Sequence, residues 1–190
     1  MFPAIGPLDI KVVSTAFLLP SVEDPVIWRG PLKMGVIHQF LSDILWGDLE
    51  YLLIDLPPGT GDESLSVLQL LPEMDGVIIV TIPSEVSEDV VKKTATFARK
   101  MEVPFLGIVE NMSGGVCPHC GERFEVFGSG DGENVARDMG LELMGKIPLD
   151  PRISTAMDAG TPFVMAQPET PAAEEFAKIV RKIEGKTESK

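Results

Sequence analysis

The stretch Tyr51-Leu-Leu-Ile-Asp-Leu-Pro-Pro-Gly-Thr-Gly-Asp62 carries the strongest indication of fold class in the sequence. It opens with a continuous apolar run, which is typical of a strand buried on both faces in a parallel sheet. The run delivers Asp55 to its carboxyl end, and ligands bind at that edge of an open α/β sheet. A carboxylate in this place suits a hard cation such as Mg²⁺, held directly or through water.

The loop that follows joins prolines, which fix φ, to glycines, which tolerate unusual backbone angles. Its residues are Pro57, Pro58, Gly59, Thr60 and Gly61. Backbone N–H groups at the two glycines can approach a γ-phosphate, and Asp62 can orient a water. The alternative is an ordinary strand-to-helix turn in which Asp55 or Asp62 is a capping residue, and the spacing leaves both interpretations open.

Further runs extend the pattern outward along the chain. Strands are predicted at residues 11–14, 76–82, 105–109 and 144–147. Helical spacing of apolar residues lies at 35–46, 65–71, 87–101, 133–139 and 172–183, with Ser87 as the N-cap of the third of these helices. Because strands and helices alternate, we expect an α/β fold with a doubly wound, mostly parallel sheet. A single domain is expected over residues 1–184, with a flexible tail at 185–190.

The only two cysteines stand in Cys117-Pro-His-Cys120. Two thiolates at this spacing can hold one metal ion or one face of a cluster, but two ligands do not close a site. Completion requires a second chain, which places a four-thiolate site on the two-fold axis of a homodimer. A thioredoxin-like redox pair and a structural half-site for zinc are the alternatives.

Asn111 comes just after the strand predicted at 105–109, on the same expected sheet edge as Asp55. Its amide carries donors and an acceptor and can therefore match an edge of adenine. An asparagine that hydrogen-bonds its own turn is the alternative.

Charge and hydropathy exclude several partners. The formal net charge is −13, so phosphate backbones and anionic lipid are repelled, and neither nucleic acid nor a membrane is expected as a partner. No apolar run approaches the roughly 20 residues of a membrane span. The amino terminus has no basic region ahead of its apolar residues, which is unlike a signal peptide, so a cytoplasmic protein is expected.

Together these motifs resemble the Mrp/ApbC family of P-loop ATPases, relatives of MinD and of the nitrogenase iron protein. The matching stretches keep the family order and cover residues 26–31, 51–62, 80–83, 107–113, 117–121 and 145–148. The resemblance implies a carrier that holds a 4Fe–4S cluster between two subunits and passes it to apo iron–sulfur proteins, with ATP binding and hydrolysis.

The resemblance also implies roles for residues. Asp55 is the Walker B carboxylate near Mg²⁺, and residues 57–62 form the switch II loop, with Asp62 as its last residue. Asn111 faces adenine with Pro148 nearby. The cluster ligands are Cys117 and Cys120.

The family's phosphate-binding loop, Gly-x-x-x-x-Gly-Lys-Ser/Thr, does not occur in the 190 residues. We therefore expect the chain to begin near the family's third strand. The family's first strand normally lies in the middle of the sheet, so its loss leaves two apolar edges or forces the neighbouring strands together. A non-catalytic metal- or cluster-binding module that has lost ATPase activity is the alternative function. A MinD-like positioning ATPase ranks last, because residues 172–190 do not form the basic amphipathic membrane helix that it needs.

Overall fold

The computed structural model describes residues 1–21, 23, 30–117, 119–128 and 131–188. Residues 26–29, which open the first stretch of the family resemblance, lie outside the described residues. The chain divides into two compact units, Met1–Pro72 and Glu73–Lys190. Each unit has its own secondary structure and packing.

The first unit joins a small hairpin to two helices. Strands β1 (Ala4–Ile5) and β2 (Lys11–Val12) pair antiparallel, and 3-10 turns cover Pro7–Asp9 and Thr15–Leu18. Helix α1 (Gly30–Ser42) packs on α2 (Asp62–Leu70), and an ion pair between Lys33 and Glu63 joins the two helices. Helix α1 therefore begins five residues before, and ends four residues before, the predicted segment 35–46.

The prediction of a buried strand at residues 51–56 is wrong. This segment has no regular secondary structure, and the apolar side chains of residues 51–54 are exposed, with Leu53 at 85%. A strand needs a neighbour to pair its backbone groups. In the described part of the first unit the β1–β2 hairpin is the only ladder, and these residues do not join it.

The second unit is built on a parallel sheet. Its strands are β3 (Val77–Thr81), β4 (Phe105–Glu110) and β7 (Leu143–Lys146), in the order β3-β4-β7. Strand β4 is central, and its last five residues are buried, as the apolar run predicts. Strand β3 stands at an edge, where Val80 is 62% exposed, in agreement with an open apolar edge. A separate hairpin pairs β5 (Gly115–Val116) with β6 (Arg123–Phe124).

Helices cover both faces of this sheet. They are α3 (Glu85–Lys100), α4 (Asp131–Met139), α5 (Pro151–Asp158), α6 (Phe163–Ala166) and α7 (Pro171–Thr187). One core cluster joins Ile79 and Ile108 of the sheet to residues of α3 and α4. A second joins Val109 and Met144 to α5, α6 and α7. Two clusters on a parallel sheet confirm the doubly wound α/β class.

Two helix ends differ from the sequence predictions. Helix α3 begins at Glu85 with Ser84 as its N-cap, so the assignment of the cap to Ser87 is wrong. Ser84 is already in extended conformation, and its carbonyl accepts from the N–H groups of Ser87 and Glu88. Helix α7 continues through Thr187, into the segment expected to be a tail, because polar contacts hold its last turn.

Candidate functional site

In the first unit, the glycine-rich loop leads directly into α2. Gly59 has φ +95°, a backbone conformation that favours glycine. Gly61 is the N-cap, and Asp62 and Glu63 occupy the first turn, where negative charge complements the helix dipole. Asp62 is therefore not the capping residue, which removes that alternative for this position.

The carboxylates here have different surroundings. Asp62 lies against the start of α1, since a Cβ added at Gly30 would come within 2.7 Å of Asp62 Oδ2. The hydrogen bond from Lys33 lowers the pKa of Glu63. Asp55 is exposed in the irregular segment upstream of the loop. A carboxylate exposed in this way can reach a hydrated cation.

In the second unit, Asn111 begins the loop after β4. Its N–H donates to the oxygen of Thr81 at 2.7 Å, and its Oδ1 accepts from the N–H of Met112 at 2.9 Å. Met112 has φ +56°, so the chain turns sharply at this point. The oxygen thus serves its own turn, as one alternative from the sequence expects, while the amide nitrogen can still donate to a ligand.

The loop at Pro148 lies beside the Asn111 loop. Ser113 N donates to the oxygen of Ile147 at 2.9 Å, and Leu149 N donates to the oxygen of Gly114 at 2.7 Å. Both loops follow parallel strands and therefore stand at the same edge of the sheet. The structure thus places the loops of Asn111 and Pro148 side by side, and their contact with adenine stays a prediction.

The two cysteines sit at the turn of the β5–β6 hairpin. Cys117 N donates to the oxygen of Glu122, and Gly121 N donates to the oxygen of Cys117, each at 2.9 Å. Gly121 adopts φ +73°, which lets the chain close this turn. Both thiols are free, with Cys117 half-buried and Cys120 exposed. The pair is accessible to a metal ion or cluster from solvent.

Hydrogen bonds favour the thiolate of Cys117. The backbone N–H of Cys120, then that of His119, then the Cys120 thiol lower the pKa of Cys117. A lowered pKa raises the fraction of thiolate, which is the form that binds metals. Among the described residues, no group of three or more histidine, cysteine, aspartate or glutamate side chains is placed to hold a metal ion. Within the described residues the pair thus stands without a third side chain of this kind placed beside it.

One buried carboxyl near this hairpin was missed by sequence reasoning. Glu110, the last residue of β4, is fully buried. Charged residues are almost never fully buried without partners, so a glutamate that ends a buried strand was a usable signal.

Within the described residues, no helix is long and apolar enough to cross a membrane.

A family model described as ParA, NUBPL iron-transfer P-loop NTPase, matches residues 1–184. The chain belongs to this family. The match confirms the resemblance drawn from the sequence motifs. It covers both compact units, including the glycine-rich loop before α2 and the hairpin that carries the cysteines.

Curated relatives of this chain are named iron-sulfur cluster carrier proteins. The relative from Saccharolobus solfataricus is 53% identical over 181 residues, covering 95% of this chain and 61% of its own length. The relative from Methanocaldococcus jannaschii is 50% identical over 190 residues, covering 100% of this chain and 65% of its own length. The chain thus spans less than two thirds of the length of these relatives.

Solved structures agree with the family fold. A nucleotide-binding protein from Archaeoglobus fulgidus, in complex with ADP, is 39% identical with a TM-score of 0.72, over 92% of this chain and 65% of that one. The cell division ATPase MinD of Pyrococcus furiosus is 23% identical with a TM-score of 0.58, over 83% of this chain and 59% of that one. The similarity to MinD supports the fold alone.

Proposed function

We propose that this protein carries an iron–sulfur cluster bound by Cys117 and Cys120 and shared with a second copy of the chain. The observation that supports this most directly is a pair of accessible thiols, at one hairpin turn, without further ligands among the described residues. Four thiolates from two copies complete the shell of a 4Fe–4S cluster. Relatives named iron-sulfur cluster carrier proteins, at about half identity, support the same cargo.

The surroundings of the cysteines suit a contact between two copies. Apolar side chains on and after the hairpin are exposed: Val116 at 52%, Phe124 at 39%, Val126 at 55% and Phe127 at 42%. An exposed apolar patch is typical of an interaction site. Two chains of charge −13 repel each other, so dimerisation gains little until the shared thiolate site closes. We therefore infer that the dimer is linked to the cluster, and that the exposed cluster passes to apo iron–sulfur proteins.

Nucleotide chemistry is the second part of the proposal. In a form of the protein that supplies a phosphate-binding loop, Asp55 holds Mg²⁺ and Asp62 orients the attacking water. Residues 57–61 approach the γ-phosphate, while Asn111 and Pro148 contact the adenine. The neighbouring Asn111 and Pro148 loops support the adenine part of this proposal, and the ADP complex of the Archaeoglobus fulgidus relative supports nucleotide binding. ATP hydrolysis then accompanies cluster transfer.

The alternative function is a non-catalytic metal- or cluster-binding module that has lost ATPase activity. It is favoured by one observation: no Gly-x-x-x-x-Gly-Lys-Ser/Thr sequence occurs in the 190 residues. Backbone donors and the lysine of such a loop hold the phosphates of ATP. The module keeps the cysteine pair and metal-dependent dimers, and it hydrolyses no ATP even at high Mg²⁺.

Anaerobic reconstitution with iron and sulfide tests the carrier. The parent protein is expected to bind about four irons per dimer. The double variant Cys117→Ser/Cys120→Ser loses this iron, while His119→Ala, which keeps both thiols, retains it. Gel filtration with and without a chelator should show a dimer only when the cluster is present. A parent protein with intact thiols that stays monomeric and binds neither iron nor zinc contradicts the proposal; zinc binding without iron supports the module.

A further inference from the structure

The cysteine hairpin belongs to an excursion that leaves the sheet and returns to it. The chain departs after β4, forms β5 and β6, and comes back at the start of α4. Ser113 stands at the outgoing end of this excursion and Gly132 at the returning end. A long excursion of this kind has many open conformations, and fixing its ends removes part of that freedom.

Glu110 contacts both ends. Its Oε1 accepts a hydrogen bond from Ser113 Oγ at 2.5 Å, and its Oε2 accepts from the N–H of Gly132 at 2.8 Å. Each carboxyl oxygen therefore holds a different end of the excursion. A hydrogen bond to a buried carboxyl is among the stronger ones in proteins, and the loss of one partner leaves the other buried and unsatisfied.

The fit at Gly132 is close. A Cβ added at this glycine would come within 2.5 Å of Glu110 Oε2 and within 3.1 Å of Glu110 Cβ. The absence of a side chain is what allows the backbone N–H to reach the carboxyl. The contact therefore depends on both residues.

The backbone of Glu110 is itself immobilised by the sheet. Its carbonyl accepts from Ile147 N at 2.8 Å, and the next residue, Asn111, donates to Thr81 at 2.7 Å. In register it pairs with Thr81 of β3 and Lys146 of β7. The carboxyl is thus presented from the end of the central strand, so the two ends of the excursion are tied to the sheet.

We propose that Glu110 is a positioning residue that ties both ends of the cysteine-bearing excursion to the sheet and so holds the two thiols in one geometry for metal binding. The metal part rests on the proposed function, whereas the tie between the excursion and the sheet does not. Glu110 is fully buried and acts through its hydrogen bonds to Ser113 and Gly132. Removal of a partner that hydrogen-bonds a metal ligand directly costs about 10- to 100-fold in metal affinity, and we expect the less direct effect of Glu110 at the lower end of this range.

Three variants separate the contributions of the two hydrogen bonds of Glu110. Glu110→Ala removes both contacts, and Ser113→Ala removes the outgoing one while leaving the core side chain in place. Glu110→Gln is conservative, because the amide oxygen still accepts from Gly132 and the amide nitrogen can donate to Ser113 Oγ, whose hydroxyl can also accept. The matched control is Thr170→Ala, since Thr170 is also buried, and its Oγ1 accepts from Ala173 N at the start of α7, at 3.2 Å.

Two measurements on the full chain test the proposal: amide hydrogen exchange of residues 114–128, and Co²⁺ binding followed by the thiolate-to-cobalt absorption band. Ser113→Ala and Glu110→Ala are expected to speed exchange in this segment and to weaken Co²⁺ binding by about tenfold. Glu110→Gln stays within about twofold of the parent. Thr170→Ala lowers the melting temperature but leaves both readouts unchanged.

The proposal is overturned if Ser113→Ala and Glu110→Ala, compared at equal stability with Thr170→Ala, leave exchange in residues 114–128 unchanged. If Glu110→Ala does not fold, the comparison of Ser113→Ala with Thr170→Ala decides. Failure of the proposed function has a different signature: the parent binds no Co²⁺, or binds it equally after Cys117→Ser, while the exchange result still reports on the tie.

Discussion

Lys186 Nζ donates a hydrogen bond of 2.7 Å to the main-chain oxygen of Leu106, which lies 80 residues earlier in the sequence. The same ammonium lies 2.8 Å from Glu142 Oε2, and Lys182 Nζ lies 3.3 Å from Glu142 Oε1. These contacts attach the end of α7 to the beginnings of β4 and β7. Hydrogen bonding from Lys186 is the main cause that lowers the pKa of Glu142.

Replacing Lys186 should loosen this attachment. Lys186→Met keeps much of the aliphatic stem but removes the donor, and we expect the free energy of unfolding to fall by about 1 kcal/mol at neutral pH. Because the pKa of Glu142 is lowered in the folded protein, its contribution is present above the unfolded pKa, about 4.3, and is lost as the pH falls through the folded pKa. The difference between parent and variant in urea unfolding should therefore shrink in acid.

Lys178→Met is the control for this prediction. Lys178 lies on the same helix and pairs with Glu175 at 3.0 Å across the surface, an arrangement worth at most about 0.5 kcal/mol. An equal loss of stability in the two variants, or a loss at Lys186 that does not change with pH, contradicts the importance of the Leu106 and Glu142 contacts.

The second unit was predictable from the sequence because its signals are local. The runs in β4 and β7 are mostly apolar, and such runs are typical of strands in a parallel sheet that helices cover on both faces. Residues 51–56 carry the same signal and form no strand. Strand formation depends on a partner, and the identity of a partner is not written in the run itself.

Part of the candidate site was also predictable from the sequence. The spacing of Cys117 and Cys120 indicates two ligands at one turn, and the structure places them at one hairpin. The role of Glu110 depends on Gly132, 22 residues further along, and no local pattern joins them. Likewise, the side-chain oxygen of Asn111 accepts a hydrogen bond within its own turn because the backbone turns sharply at Met112. The amino-acid composition does not reveal this backbone geometry.

Helices α3 and α4 end in the same motif but have different residues at its key position. After α3, Glu102 N donates to Arg99 and Val103 N donates to Ala98, and Glu102 has φ +57°. After α4, Gly140 N donates to Arg137 and Leu141 N donates to Ala136, with Gly140 at φ +61°. This is the Schellman arrangement, whose left-handed residue is usually glycine.

Opposite effects are therefore expected at these two positions. Glu102→Gly should raise the free energy of unfolding by about 1 kcal/mol, and Gly140→Ala should lower it by a similar amount, since a side chain is strained at positive φ. Urea unfolding of both variants measures the pair. Two changes of the same sign would falsify this account of the caps.

Gly145 of β7 is expected to tolerate no side chain. A Cβ there would lie 2.7 Å from Glu175 Oε1 and 2.7 Å from Ile179 Cγ1, so α7 would have to move away from the sheet. Gly145→Ala should cost about 1–3 kcal/mol by overpacking. Gly35→Ala is the matched control, because Gly35 lies inside α1 with no atom within 4 Å of its added Cβ. That variant should stabilise slightly, as alanine favours helix, and a harmless Gly145→Ala would contradict the close packing of α7 on β7.

The thiol of Cys117 should titrate below the usual range. Because its pKa is lowered, thiolate is present at lower pH than in an ordinary cysteine, and alkylation by iodoacetamide should reach half its maximal rate below about pH 8.5. Peptide mass spectrometry of the metal-free protein measures the rate at Cys117, and the same chain in urea supplies the reference. The largest cause is the backbone N–H of Cys120, which serine also carries, so Cys120→Ser should keep most of the shift. Equal midpoints in the folded and urea-unfolded chain would show that the hairpin turn does not stabilise the thiolate.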